Sequence, residues 1–209
     1  MNLSRDERLT IASYDNMAEA WAREHATPGW WSEEIAKFKG YLPTGKIIEV
    51  GSGGGRDAKE LVEAGYGYVG TDVSSGLLVE AKKLNPGVAF LNQSVYELDF
   101  PDNSFDGFWA SAVLLHIPKN RIDEALQSLG RVVRDKGVGF ISVKQGEGER
   151  MEFEEAHAPS VHQRLFSYYS EDEFKDVLLR NNFTTLEFYL KPSGGKTTWL
   201  VFFVQARKI

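Results

Sequence analysis

Nine consecutive residues, Glu49-Val50-Gly51-Ser52-Gly53-Gly54-Gly55-Arg56-Asp57, carry the chemistry most readily read from this 209-residue chain. Gly51 and Gly53 let the backbone turn sharply and approach a ligand with no Cβ in the way. A helix opening after the loop offers unpaired N–H groups, which suit an anionic group such as a carboxylate. About twenty residues on, Asp72 ends a short apolar run, where an acid can hold the two hydroxyls of a ribose. A dinucleotide-binding loop wants a third glycine where this chain has Arg56, and a phosphate-binding loop wants a Gly-Lys-Ser/Thr that is absent. The ligand described is a nucleoside without pyrophosphate, bearing a ribose and a small zwitterionic tail. Asp57 reads as a helix-start residue favoured by the helix dipole rather than as a ligand contact.

Alternating strands and helices must hold these residues. Ser4 can cap a helix running towards Glu24, and Pro28-Gly29 breaks it before a second begins in Trp30-Trp31-Ser32-Glu33-Glu34-Ile35. Strands are expected at 46–50, 68–72, 88–91, 105–110 and 139–143. Helices separate them at 57–64, from Ser74 to about Leu84, and from beyond Pro118 to about Val133. Residues 145–169 show no clear period. A helix from Ser170 to about Asn181 precedes strands at 184–190 and 198–205. The last two are joined by Lys191-Pro192-Ser193-Gly194-Gly195-Lys196, too short for a crossover helix, so they pair antiparallel. The expected fold is α/β and Rossmann-like: a seven-stranded, mostly parallel sheet with an antiparallel last strand, helices on both faces and an N-terminal helical cap. One domain, 1–209, accommodates it, with the cap at 1–40 and a lid or acceptor-binding insertion at 145–169.

Ile47-Ile48-Glu49-Val50-Gly51-Ser52-Gly53-Gly54-Gly55 resembles the first motif of the class I S-adenosylmethionine-dependent methyltransferases. Gly70-Thr71-Asp72-Val73-Ser74, followed by Leu77, resembles their second. Leu98 to Asp106, Val113-Leu114-Leu115-His116-Ile117 and Leu129 to Val138 resemble later segments, in order, so the likeness runs from about residue 40 to 145. It implies methyl transfer from S-adenosyl-L-methionine, with S-adenosyl-L-homocysteine as product. Carried over by position, Gly51, Ser52 and Gly53 line the methionine end, with Arg56 beside them, and Glu49 meets the amino group directly or through the loop. Asp72 takes the ribose, Val73 and Leu77 border the adenine, and Ala110 with Ser111 lie under the sulfonium. The family often has an acid where this chain has Ser94, so the adenine amine falls to the Ser94 hydroxyl or the Val95 backbone.

In such a displacement the protein supplies alignment, desolvation and, for a protonated nucleophile, a base. His116, just after the fourth strand, is the candidate for a substrate contact or base, against the plainer reading that it packs at a helix entry. Tyr14, Ala18 and Trp21 share one face of the first helix, fit either to close over a flat or cationic ligand or to pack on the sheet. Tyr14 joins the cofactor contacts on this reading. Trp30 and Trp31 suit a substrate-side wall or the core. The 145–169 stretch holds His157, His162, Arg164, Tyr168 and Tyr169. His157 and His162 have no metal-ligand spacing, so no metal is expected. The glutamates from Glu147 to Glu155 read as a solvated face.

Composition narrows the partners. A chain this long buries about 70 % of its unfolded surface and needs no staple, and its lack of cysteine excludes disulfides and thiolate chemistry. The net charge of −6 disfavours a nucleic-acid partner. A charged N-terminus and the absence of a long apolar run point to the cytoplasm and away from the membrane. The leading reading is a small-molecule methyltransferase. The alternatives are a cofactor-binding regulatory or scaffold subunit without turnover, and a nicotinamide oxidoreductase on a similar sheet.

Overall fold

Three helices open behind serines whose hydroxyls accept the N–H three residues on, Ser4, Ser74 and Ser170. This is seen in a computed structural model that describes residues 3–154, 162–195 and 197–208. The elements run α1 (Arg5–His25), α2 (Ser32–Tyr41), β1 (Lys46–Val50), α3 (Arg56–Glu63), β2 (Gly67–Asp72), α4 (Ser75–Leu84), β3 (Ala89–Asn92) and β4 (Phe105–Ser111). After two short 3₁₀ turns come α5 (Ile122–Val132), β5 (Val133–Lys144), β6 (Glu149–Glu154), β7 (His162–Ser167), α6 (Glu171–Arg180), β8 (Phe183–Pro192) and β9 (Thr198–Ala206).

Seven strands form one sheet in the order β3-β2-β1-β4-β5-β9-β8. Strands β1 to β5 are mutually parallel, and β9 runs antiparallel to both its neighbours. The seven-stranded Rossmann-like arrangement is the expected one. Its reversed strand is last in the chain but lies inside the sheet, leaving β8 at the edge.

The period-two alternation of strand side chains sorts the core into two layers. On one face Phe108, Ile141 and Phe202 pack with Leu126, Leu129 and Phe174 from α5 and α6. On the other, Trp109, Phe140 and Phe203 pack with Trp31, Phe38 and Leu61 around α2 and α3. Trp109 and Phe140 stack at 3.7 Å, next to each other in the β4–β5 register. The central strands are thus buried on both faces, while the edge strands β3 and β8 are partly exposed.

Two departures from the sequence reading matter for the site. Strand β5 starts directly behind α5, several residues before the expected Gly139. Within the stretch that shows no period, β6 and β7 pair as a separate antiparallel ribbon. Helix α1 is stitched to that ribbon: Ser13 exchanges two hydrogen bonds with the Gln163 backbone, and Leu165 N–H donates to Thr10 Oγ1 at 2.8 Å. On its other side α1 lies against α4, where Asp15 accepts from Ser74 Oγ (2.7 Å) and Gly76 N (2.9 Å). A Cβ on Gly76 would stand 2.9 Å from the Ala18 Cβ, so small residues permit this contact. Residues 155–161, with His157 and Glu155, lie outside the described residues. No helix among the described residues is long and apolar enough to cross a membrane.

Candidate active site

A cavity of about 870 Å³ opens over the tips of the parallel strands, beneath α1. With ~4.8 Å between strands, the reach from the β2 tip to the β5 tip is about 14 Å, room for a nucleoside and a second small molecule side by side.

Backbone geometry builds the β1 end. Gly51 sits at φ +67°, and a Cβ there would strike Val113 at 2.3 Å. The loop is pinned to the neighbouring strand by Ser52 N–H donating to Thr71 O (3.0 Å) and Gly53 N–H donating to Asp72 Oδ2 (2.8 Å). Asp72 also accepts from Ser74 N through Oδ1, so one carboxylate ties loop, strand and α4 together. Burial raises its pKa, and the backbone N–H donors oppose the rise. Each oxygen keeps lone-pair capacity beyond these bonds. Gly53 has open space where a Cβ would be, and Ser52 Oγ is buried with no hydrogen-bond partner.

Glu49 lies beneath this loop, buried and bonded by the Tyr68 hydroxyl. Burial first, and then the neighbouring Asp57 charge, hold its carboxyl well above the usual range. Arg56 forks onto Asp57 (2.5 and 3.1 Å), which also accepts from Trp109 Nε1 at 3.1 Å. Asp57 therefore anchors the first turn of α3, and Arg56, its guanidinium forked onto that carboxylate, is among the residues lining the cavity.

Val73, Leu77, Ser94 and Val95 line the cavity beyond Asp72, together with Gln93 and Tyr96, which the sequence reading did not single out. Ser94 Oγ accepts from Tyr96 N–H at 3.3 Å. Of the pair under the expected sulfonium position, Ser111 lines the cavity and its Oγ is buried without a partner. Ala110 does not: strand alternation turns it into the core on the α5 side, fully buried. The next residue along the lining, Ala112, takes its place with φ +53°, an uncommon conformation for a residue with a Cβ.

His116 also lines the cavity, but both ring nitrogens are engaged. Nδ1–H donates to Leu165 O at 2.6 Å, a carbonyl that can only accept. That leaves Nε2 to accept the Tyr14 hydroxyl at 2.8 Å, while Arg164 Nη1 donates to Tyr14 Oη at 3.0 Å. Burial, with Arg164 and Lys144 nearby, pushes the imidazole down from 6.5 to about 3. A neutral, doubly bonded His116 does not take a proton from a ligand directly, so the structure favours the packing reading of this residue over the base reading.

Tyr14 and Trp21 reach the cavity from α1, ring to ring at 5.4 Å, while Ala18 packs away from it against α4. The helix therefore covers the cavity and packs on its neighbour at once. Trp31 is core and Trp30 is partly exposed, yet both border the cavity. Its far end, over β5 and β9, is bounded by Lys144, Arg164, Phe166 and Trp199. His162 is buried outside the lining. Among the described residues no three His, Cys, Asp or Glu side chains gather as a metal site.

Residues 48–141 match the methyltransferase domain family. A demethylmenaquinone methyltransferase of Renibacterium salmoninarum is 29 % identical over 107 residues, 51 % of this chain and 44 % of that protein. The chain spans less than half the length of the curated relatives it matches. Among solved structures, the Burkholderia thailandensis 1,6-didemethyltoxoflavin-N1-methyltransferase, with 1,6-didemethyltoxoflavin and S-adenosylhomocysteine bound, superposes with a TM-score of 0.79. It is 20 % identical, over 100 % of this chain and 93 % of that one. The [4+2]-cyclase SpnF shares the fold at a TM-score of 0.72 and 14 % identity, over 97 % and 96 % of the two chains. Such likenesses show the fold, which hosts more than one chemistry.

Proposed function

We propose that this chain is a class I S-adenosylmethionine-dependent methyltransferase that methylates a small-molecule acceptor, a reading that its fold and the match of residues 48–141 to the methyltransferase domain family support. The observation that carries the reading is the bond between Gly53 N–H and Asp72 at neighbouring strand tips, opening on a cavity with room for a nucleoside. The residues fit that cofactor. Asp72 has capacity for a ribose diol, and Arg56 stands at the wall for a methionyl carboxylate. Ser52 and Ser111 hold buried hydroxyls that lack partners. Val73 and Leu77 offer apolar walls to an adenine, with Ser94 and Val95 at its edge. Glu49 meets an ammonium through the loop rather than openly, because Tyr68 already holds its carboxyl. When bound, the cofactor supplies an electrophilic methyl group on a sulfonium.

The chain's own part is alignment and desolvation. Helix α1 excludes water over the loop, and the strand tips fix the two reactants in register. His116 acts as a positioning residue, holding the Tyr14 hydroxyl toward the cavity. A small-molecule acceptor suits the enclosed space, and the named activities of the relatives and neighbours support it. The cytoplasmic address rests on composition and belongs to this proposal. Incubation with methyl-labelled S-adenosyl-L-methionine and a metabolite extract tests the reading. Label should move into a low-mass compound. Tight cofactor binding with no transfer to any extract component would favour a non-catalytic subunit instead.

A further inference from the structure

We propose that His25 is a cofactor-binding residue whose Nε2 accepts a hydrogen bond from the ammonium of the amino-acid tail, at the glycine-loop end of the cavity. The inference rests on the methyl-transfer reading above and deepens it, because Glu49 does not meet that ammonium openly. His25 is the last residue of α1. Tyr14, Trp21 and His25 stand at i, i+7 and i+11, on one helical face, and all three line the cavity.

Contacts on either side of His25 place it over the loop. Before it, Ala22 packs against Gly54, where an added Cβ would stand 2.9 Å from the Ala22 Cβ. After it, Gly29 N–H donates to Glu60 Oε1 at 2.7 Å, on the helix that the loop opens. Further back along α1, Asp15 is bonded to the start of α4, next to the ribose acid Asp72. At ~1.5 Å per residue, His25 lies about 15 Å beyond Asp15 along the helix. Helix α1 therefore runs from the ribose end of the cavity to the tail end, and His25 stands where the tail finishes.

Two contacts fix the ring. It stacks on Trp21 with 3.7 Å between ring centres and 20° between planes. Its Nδ1 lies 2.9 Å from Trp21 O, a carbonyl that can only accept, so Nδ1 carries the hydrogen. This is the one hydrogen bond of the ring among the described residues. The neutral imidazole then keeps its lone pair on Nε2, at the ring edge turned away from the helix backbone. Such a nitrogen takes a hydrogen from an ammonium and has none to give a carboxylate, so it selects between the two charged groups of the tail. The carboxylate finds its donors in the first turn of α3, which no side chain caps. Carboxylates near this end are already engaged. Tyr68 holds Glu49, Arg56 and Trp109 hold Asp57, Gly29 and Ser32 hold Glu60, and Glu24 has a partner of its own.

The test titrates three ligands into the wild type and into His25→Phe, which keeps a ring over Trp21 and removes both nitrogens. The ligands are S-adenosyl-L-homocysteine, its deaminated analogue with hydrogen in place of the ammonium, and 5′-methylthioadenosine, which lacks both charged groups of the tail. At about pH 8, above the range in which an imidazole usually takes a proton, His25→Phe should bind S-adenosyl-L-homocysteine about tenfold more weakly, the scale of one hydrogen bond to a charged group. The deaminated analogue and 5′-methylthioadenosine should bind the two proteins alike, and His25→Leu should show the same pattern without the ring. Equal affinity of wild type and variants for S-adenosyl-L-homocysteine would overturn the inference. So would an equal loss for the deaminated analogue, which would give His25 to the carboxylate, or a loss for 5′-methylthioadenosine, which would make its role one of packing. Failure of the wild type to bind any of the three would strike the methyl-transfer reading as well.

Discussion

Replacing His116 with glutamine isolates one titration whose sign and size the structure specifies. Folded His116 titrates near 3, against 6.5 for the free side chain. Between these values the unfolded chain holds a proton that the folded one refuses, so this group withdraws stability as the pH falls below 6.5. From pH 7.5 to pH 5.0 the withdrawal amounts to about 2 kcal/mol, since each unit of difference is worth ~1.4 kcal/mol and roughly 1.5 units of the window are crossed. The glutamine side chain does not titrate. Urea denaturation of both proteins at the two pH values gives a double difference in which other groups cancel. The wild type should lose about 2 kcal/mol more than His116→Gln over this interval. Parallel losses, within about 0.5 kcal/mol, would mean that His116 is protonated readily in the folded protein, and the base reading would return.

Three other perturbations probe the loop and its roof. Gly51→Ala should destabilise more than Gly53→Ala: both force a Cβ to positive φ, at roughly 1 kcal/mol, but only the first drives it into Val113. Thermal melts that rank the two the other way would refute the loop geometry. Glu49→Gln should alter pH dependence in the sense opposite to His116. Raised in the fold, the Glu49 carboxyl contributes most at low pH and loses that contribution as pH rises above 4.5. Ligand-free Glu49→Gln should therefore gain on the wild type from about pH 5 to about pH 8, and a constant difference would contradict the assignment. Tyr14→Phe leaves His116 Nε2 buried without its donor and should lower stability by about 1–2 kcal/mol; no loss in urea denaturation would mean the hydrogen bond is not formed in solution.

Local signals made the cofactor end legible. A β-branched run stopping at Gly51 and another stopping at Asp72 place both residues at parallel strand tips, because strands joined through a helix end on the same edge. Ser4, Ser74 and Ser170 announced three helix starts for the same local reason. Ala110 and Ser111 are expected in the cavity together, but neighbouring residues of a strand point to opposite faces, so only Ser111 reaches it. The ribbon of β6 and β7 escaped notice because Glu149 to Glu154 carries charges at alternate and adjacent positions, and only pairing with β7 makes it a strand. Arg164 sits in that stretch without a period, and nothing local in the sequence marks Lys144 or Trp199 as cavity residues. Lys144 and Trp199 lie far apart in the chain, and antiparallel register alone makes them neighbours. Likewise His116 looked like a base because its type and place suit one. The Leu165 carbonyl and the Tyr14 hydroxyl that occupy it come from distant segments.

Calorimetric titration of S-adenosyl-L-homocysteine into the wild-type protein and into Asp72→Asn is the most direct trial of a nucleoside gripped between the β1 loop and the β2 acid. Saturable one-to-one binding is expected in the first, weakened about 10- to 100-fold in the second, the scale of losing charged hydrogen bonds worth ~1.5–3 kcal/mol. Binding that ignores the substitution in a folded Asp72→Asn, or a wild type that takes up a nicotinamide dinucleotide in its place, would contradict the account.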